Sequence, residues 1–494
     1  MRRTSLAAVS ALVLSLCVAL PSASAATLSL AKGDSGTGVT TLQQNLITLK
    51  YLAPGNAIGY FGAKTQTALK KFQCDKDILC SGTEEDGYGV AGPKTLAAIQ
   101  IALAPSQPAS LSSTFLTGPA TGAFEYSGWL PWWRAASSTM DVLPHLSAFN
   151  SLMPFGYTVK SDGTLNDTAN MGEEPWKSFI AAAKAAHVRV IPTVMWGNGE
   201  QIHAVLSDAK KRVALENEIA ALVKKNGYDG IDIDFEAKKP ETINYFSTFL
   251  QGLYQRMGKK WVYCTIEARM PLDARYSPGA AIPEDATVRA NDYAAMNKYC
   301  DRVEIMAYDQ GTIDINLNAA RSAPYAPVAD PVWVAKLVNI AAQSISRNKL
   351  IVGIATYGYE YAVTPQPDGK QQYKLLWAFN PQYALDIATK LGIAPYRTSA
   401  GEAGFTYDPA RLAALAPTGN DSTQIQQSAS TVTTSVTQNM GSQLSGSQQF
   451  NYMTWIDAPA MKDRIDLAKQ LGVRGVAFFS LGGAEDQGMW SLLK

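Results

Sequence analysis

The chain of 494 residues has only three histidines, His145, His187 and His203, and they are scattered. No Cys or His cluster has metal-ligand spacing, which argues against a zinc site, and no cofactor is expected. Charge of either sign is not in excess: 43 Lys and Arg stand against 42 Asp and Glu. That balance argues against a nucleic-acid partner and against electrostatic attachment to a membrane. After the first 25 residues no apolar run is long enough to cross a bilayer. A Gly-x-Gly-x-x-Gly fingerprint after the first strand is also missing, which argues against a dinucleotide fold. The nearest approach to a phosphate-binding loop, Gly87 to Gly92-Pro93-Lys94-Thr95, is interrupted by Pro93, which has no N–H to offer a phosphate.

What is present begins at the N-terminus. Arg2-Arg3, an apolar stretch from Leu6 to Leu20, and Ala23-Ser24-Ala25 read as a signal peptide over residues 1–25, with a mature start near Ala26. Without it the basic count is 43 − 2 = 41 against 42 acidic residues, about −1. The expected location is secreted or periplasmic, with no membrane attachment once the signal is cleaved. Cys17 leaves with the signal, so four cysteines remain in an exported chain. Cys74 and Cys80 sit close together in a polar loop and predict a local disulfide. Cys264 and Cys300 lie near the starts of two predicted neighbouring strands, either as a second disulfide or as two buried thiols.

Residues 26–103 form a first unit with an internal echo. Gly59-Tyr60-Phe61-Gly62-Ala63-Lys64-Thr65 recurs loosely as Gly89-Val90-Ala91-Gly92-Pro93-Lys94-Thr95, each copy preceding a helical pattern. Val39, Leu42, Leu46 and Leu49 mark an earlier helix. Residues 104–123, rich in Pro, Ser, Thr and Gly, read as a linker. Over residues 124–494 strands alternate with helices. The predicted strands are Tyr126–Leu130, Ala148–Phe155, Arg189–Trp196, Gly230–Glu236, Trp261–Ile266, Arg302–Tyr308, Leu350–Tyr357 and Val473–Leu481. Eight such units predict an α/β fold, a (β/α)8 TIM barrel with an insertion between strands 7 and 8 at about 361–450, preceded by a small three-helix domain. Within the insertion a helix is expected at Tyr383–Leu391 and a strand near Gly404–Tyr407. The Ser-, Thr- and Gln-rich stretch 419–447 is read as an exposed loop.

The most informative segment is Asp229-Gly-Ile-Asp-Ile-Asp-Phe-Glu236. A strand sends alternate residues to one face, so Asp232, Asp234 and Glu236 line up opposite Ile231, Ile233 and Phe235. Three close carboxyl groups cannot all ionise cheaply, so at least one pKa must rise, which is how an acid stays protonated for catalysis near neutrality. The alternative is a solvated acidic edge strand. Asp229 falls on the opposite parity and is read as a structural group at the start of the strand. Trp129 and Trp196 are candidate aromatic walls of a cleft, with Trp132 and Trp133 divided between cleft and core. Glu267 either lines a subsite or pairs with Arg269 or another cation.

Two resemblances follow from these residues. Leu30…Gly33…Gly36…Val39…Leu42-Gln43…Leu46, Phe61-Gly62…Thr65…Ala68, Phe72-Gln73 and Gly89…Gly92…Thr95 resemble the three-helix peptidoglycan-binding domain of bacterial cell-wall hydrolases, which implies anchoring to murein. The Asp229-x-x-Asp232-x-Asp234-x-Glu236 spacing, Met306-Ala307-Tyr308-Asp309, Gly353–Gly358 and Ser127–Trp133 resemble glycoside hydrolase family 18, in its cell-wall and spore-associated branch. That resemblance implies a retaining, substrate-assisted glycosidase. Glu236 is then the acid, Asp234 orients the substrate's acetamido group, and Asp232 shares a proton or hydrogen bond with Asp234. Tyr308 holds the acetamido carbonyl, and Asp309 contacts substrate or supports a residue that does. The family usually carries a Trp near the end of the eighth strand; Phe479 stands there, offering less area for stacking. The expected partner is peptidoglycan or a chitin-like polysaccharide, and the chain is expected to be a monomer associated with the cell wall. The rival readings are a chitinase of the same mechanism and a weakly active sugar-binding wall protein.

Overall fold

Apolar residues at helical spacing build the first unit around Val39, Leu42, Leu46, Phe61, Leu69 and Phe72, all buried. In the computed structural model, which describes residues 29–76, 78–103, 122–415 and 449–493, this unit holds α1 (Thr37–Thr48), α2 (Ala63–Asp75) and α3 (Pro93–Leu103). Its internal echo is structural. Gln43 donates to Thr65 Oγ1 at 2.9 Å while its Oε1 accepts from Gly59 N at 2.9 Å. Gln73 repeats this with Thr95 Oγ1 at 2.9 Å and Gly89 N at 2.7 Å. Each glutamine thereby supplies hydrogen bonds that a buried loop backbone cannot find in a helix or sheet. The Cys74–Cys80 disulfide closes the C-terminal end of α2.

The division between the two units falls within α3, at Ile99–Gln100, and the strands belong to the second unit. Its strands are β1 (Glu125–Pro131), β2 (Ser151–Val159), β3 (Leu165–Asp167), β4 (Arg189–Val190), β5 (Thr193–Trp196), β6 (Gly230–Phe235), β7 (Trp261–Ile266), β8 (Arg302–Ile305), β9 (Leu350–Ala355), β10 (Gly358–Pro365), β11 (Gln371–Phe379), β12 (Tyr396–Arg397), β13 (Ala403–Tyr407), β14 (Phe450–Trp455) and β15 (Gly475–Phe479). The parallel order β1-β15-β9-β8-β7-β6-β5-β2 closes on itself through β1–β2 pairing, which makes the eight-stranded barrel. Three expected strands change most, and of these the sixth ends at Ile305, which leaves Tyr308 in the loop after it. The second spans Ser151–Val159, because residues 143–148 form a 3-10 turn. The third breaks into β4 and β5 around Ile191-Pro192, since Pro192 has no N–H for the ladder. Cys264 and Cys300 form a disulfide joining β7 to the segment before β8.

The insertion is larger than read. Its antiparallel sheet, in the order β11-β10-β14-β13-β12, runs from Gly358 to Trp455, beyond both ends of 361–450. It packs its own helix, Pro381–Leu391, on Phe405, Met453 and Trp455. Glu402, fully buried, fastens it to the barrel. Its carboxylate accepts Val328 N at 3.0 Å, Ala329 N at 2.8 Å and Thr454 Oγ1 at 2.7 Å. The stretch 419–447 and most of the linker, residues 104–121, lie outside the described residues, as does the signal segment.

At the base of the barrel, Glu125 accepts from Arg302 Nε at 3.0 Å and Arg189 Nη2 at 3.0 Å. Both guanidiniums lie over the Trp261 ring, Arg189 at 4.4 Å and Arg302 at 4.9 Å from its centroid. Burial pushes the Glu125 carboxyl up, but the Arg302 hydrogen bond and the surrounding arginine charges outweigh it and hold it below the ordinary Glu value.

Candidate active site

Strand β6 sends Ile231, Ile233 and Phe235 outward into the helix layer and Asp232 and Asp234 inward. Glu236 follows at the mouth, half-buried, its N–H donating to Trp196 O at 2.8 Å. Asp232 is fully buried and collects three donors: Trp129 Nε1 at 3.1 Å, Thr193 Oγ1 at 2.8 Å and Thr265 Oγ1 at 2.9 Å. Burial raises its pKa while these donors pull against that rise. Both Asp232 oxygens are thus engaged by neighbours other than Asp234, and Asp232 acts on Asp234 through its charge.

Asp234 is 3% exposed, and its Oδ1 receives no hydrogen bond from the described residues. Burial, followed by the charges of Glu236, Asp232 and Glu267, pushes its carboxyl well above the ordinary Asp value. Glu236 is raised as well, by burial first and then by the charge of Glu267; Lys238 and the hydrogen bond with Asp234 oppose this. A proton therefore resides on this pair at pH values where an ordinary carboxyl has lost it. Deeper in the barrel, fully buried Glu304 is pushed well above the ordinary Glu value by burial and by the charge of Asp232, and Thr265 Oγ1 lies 3.5 Å from its Oε2.

The loop after β8 and the end of β15 complete the mouth. Tyr308 and Phe479 stack, with centroids 5.5 Å apart and rings 15° from parallel. Gly353 makes room for this, because a Cβ there would stand 2.8 Å from Tyr308 Cε1. Asp309 adopts φ 64 and accepts from Tyr357 Oη at 2.5 Å and Tyr359 Oη at 2.6 Å. Asp229 stays at the strand's beginning, where its carboxylate accepts Val190 N at 2.9 Å.

Two aromatic expectations are corrected. Trp129 is 1% exposed and lies beneath the acidic row as a hydrogen-bond donor, so it is no cleft wall. Trp196 points outward against Phe235, with centroids 5.4 Å apart, because Thr193 and Met195 take the inward positions of β5. Trp132 and Trp133, by contrast, are 39% and 38% exposed at the end of β1. Of the readings for Glu267, the pairing with a cation other than Arg269 is the one found, and that cation is Lys238. Glu267 Oε1 accepts Ala237 N at 3.0 Å, its Oε2 accepts Asn291 Nδ2 at 2.9 Å, and Lys238 Nζ lies 3.8 Å away. Sequence reasoning missed Lys238, Thr193, Thr265 and Glu304. The two threonines and Glu304 had a signal, being polar residues at alternate positions of otherwise apolar strands; Lys238 had none.

Residues 142–484 match glycosyl hydrolases family 18, and residues 35–99 match a peptidoglycan binding domain. An uncharacterized glycosylase of Bacillus subtilis (strain 168), YvbX, is 29% identical over 166 residues, which are 34% of this chain and 44% of that protein. The chain spans about half the length of the curated relatives it matches. Among solved structures, the spore cortex-lytic enzyme SleL of Bacillus megaterium QM B1551 superposes with a TM-score of 0.54 at 19% identity, over 76% of this chain and 75% of that one. A chitinase of Chromobacterium violaceum ATCC 12472 gives 0.54 at 16% identity, over 75% and 98%. At these identities the two structures share the fold. The family match takes in most of the barrel and the whole acidic row of β6, and the chain belongs to glycosyl hydrolases family 18.

Proposed function

We propose that this glycoside hydrolase is an exported, wall-associated enzyme that cleaves β-1,4 N-acetylglucosaminyl bonds of peptidoglycan with retention of configuration. The observation that carries the reading is the buried Asp234, raised and without an ion-pair partner of its own among the described residues, directly below Glu236 at the barrel mouth. In this reading Glu236 protonates the leaving glycosidic oxygen. The acetamido oxygen of the substrate attacks the anomeric carbon, and the leaving group departs with the proton from Glu236. Asp234 accepts the acetamido N–H and balances the positive charge that develops on the oxazolinium ring. Asp232 holds its place through Trp129, Thr193 and Thr265. Tyr308 offers its hydroxyl to the acetamido carbonyl, and Phe479 lies under the reacting sugar. The module over residues 35–99 keeps the enzyme on the wall, which raises the effective substrate concentration without new contacts at the active site. That module, together with the cortex-lytic activity named for SleL, favours murein over chitin.

Purified murein and chitin oligomers, compared by mass analysis and by the anomeric configuration of fresh product, test this. We expect faster release from murein, retained configuration, and loss of turnover on substrates stripped of the acetamido group. Inverted product, or equal turnover of deacetylated glycan, overturns the mechanism; equal release from chitin oligomers overturns the substrate.

A further inference from the structure

Two residues past Glu236 the chain carries a lysine that the fold takes inside. The side chain of Lys238 is 1% exposed. Its Nζ donates to Phe235 O, lies 3.8 Å from Glu267 Oε2 and sits 4.9 Å from the ring of Phe246. Its neighbour Lys239 turns the other way and meets Glu200 at 2.5 Å. The backbone between Glu236 and Lys238 is what separates them. Ala237 has φ 52 and donates its N–H to Glu267 Oε1 at 3.0 Å. On the other side its carbonyl rests against Gly199, where any Cβ would collide with it. The turn is therefore gripped from two directions, and the grip sends one ammonium under the strand end toward the acidic row.

The charges around that ammonium are unequal in number. The Glu236 carboxyl is faced by Asp234 from β6, by Glu267 just past β7 and by Asp309 from the loop after β8, with Tyr308 beside them. Asp232 acts on Asp234 from below. Among the described residues Lys238 is the cation that opposes this group, acting on both Asp234 and Glu236, while Arg269 acts on Glu267 but lies over Tyr293 at 3.7 Å. Burial pulls the Lys238 amine below the ordinary lysine value, and the charges of Glu267, Asp234 and Glu236 oppose that fall and favour the ammonium.

We propose that Lys238 is a charge-setting positioning residue: its ammonium, held by Glu267 and the Phe235 carbonyl, limits how many protons the Asp234–Glu236 pair retains and so places the alkaline edge of activity. The proposal rests on Glu236 being the proton donor. Nearby positive charge favours the ionised carboxylate, so its removal keeps Glu236 protonated to higher pH.

The test is the pH profile of kcat on murein for the full-length enzyme and three variants. In Lys238→Met, which keeps the apolar stem, the alkaline limb moves to higher pH. Lys238→Arg returns the limb to the wild-type position. Glu267→Gln, which removes a negative charge facing Glu236, moves it to lower pH. A Lys238→Met limb within about 0.2 pH unit of wild type overturns the proposal, because it means the amine carries no charge there. If Lys238→Met does not fold, an unmoved limb in Glu267→Gln overturns it instead. Glu236→Gln separates the two levels: if that variant turns over normally, the reading of Glu236 fails, whereas an inactive Glu236→Gln with an unmoved Lys238→Met profile removes only the lysine's role.

Discussion

The two ends of the barrel interior hold the same kind of side chain under opposite conditions. At the base, Glu125 is gripped by Arg302 and Arg189, and its pKa falls despite burial. At the mouth, Asp234 and Glu236 share one lysine among several carboxyls, and their pKa values rise. Burial is common to both ends, so the difference lies in the counter-charge. Where the fold needs a fixed joint it matches each anion with a bidentate guanidinium. Where it needs a proton that can leave, it withholds the match.

The sharpest way to break this contrast is Glu236→Gln. We expect kcat on murein to drop by about 10²–10⁴-fold with little change in KM, because only the proton transfer is lost. Near-normal turnover would remove the mouth from the chemistry. Next in size is Arg302→Met at the base, which strands Glu125 as a buried, half-paired charge. We expect a loss of about 3–5 kcal/mol in denaturant unfolding with unchanged kcat for the molecules that remain folded. A matching fall in kcat would show that the two ends are not independent. The sign with pH follows from Glu125. Its carboxyl is held below its unfolded value, so its contribution to stability is present above that unfolded value and is lost as pH falls through the folded one. In Arg302→Met the acid side of the stability curve should flatten.

The smallest effect concerns Glu304. Its carboxyl is raised by burial and by Asp232, so the folded state holds a proton that the unfolded chain has already lost. Wild-type stability from this group therefore declines as pH rises above the ordinary Glu range toward the folded value. Glu304→Gln, which is neutral throughout, should lose less of its melting temperature across that window. A parallel decline in wild type and variant would assign the slope to other groups.

Much of this was legible in the sequence. Alternation with period two set the strands of the barrel and put Asp232 and Asp234 on one face without any tertiary information. The failures have physical causes. Trp196 reads as a cleft residue from its position at the strand end and not from parity: Val190, Val194 and Trp196 share the outer face, while Ile191 and Thr193 point inward. The donors to Asp232 come from residues 103, 39 and 33 positions away, so they depend on barrel register. Lys238 and Lys239 are indistinguishable locally; only the grip of Glu267 and Gly199 on Ala237 decides which one turns inward.

The antiparallel sheet between β9 and β15 departs and returns through one doorway. Gly358 and Trp455 are direct partners, packed so closely that any side chain at Gly358 would strike the neighbouring strand. In topological terms the whole attachment is removable, since a short hairpin could rejoin the two ends. The carboxylate of Glu402 makes it less detachable than that. An enzyme engineer who trims the sheet leaves the buried amides of Val328 and Ala329, in the segment before the helix at Pro331, without these acceptors, so a minimal version of this hydrolase must carry a substitute for that single side chain.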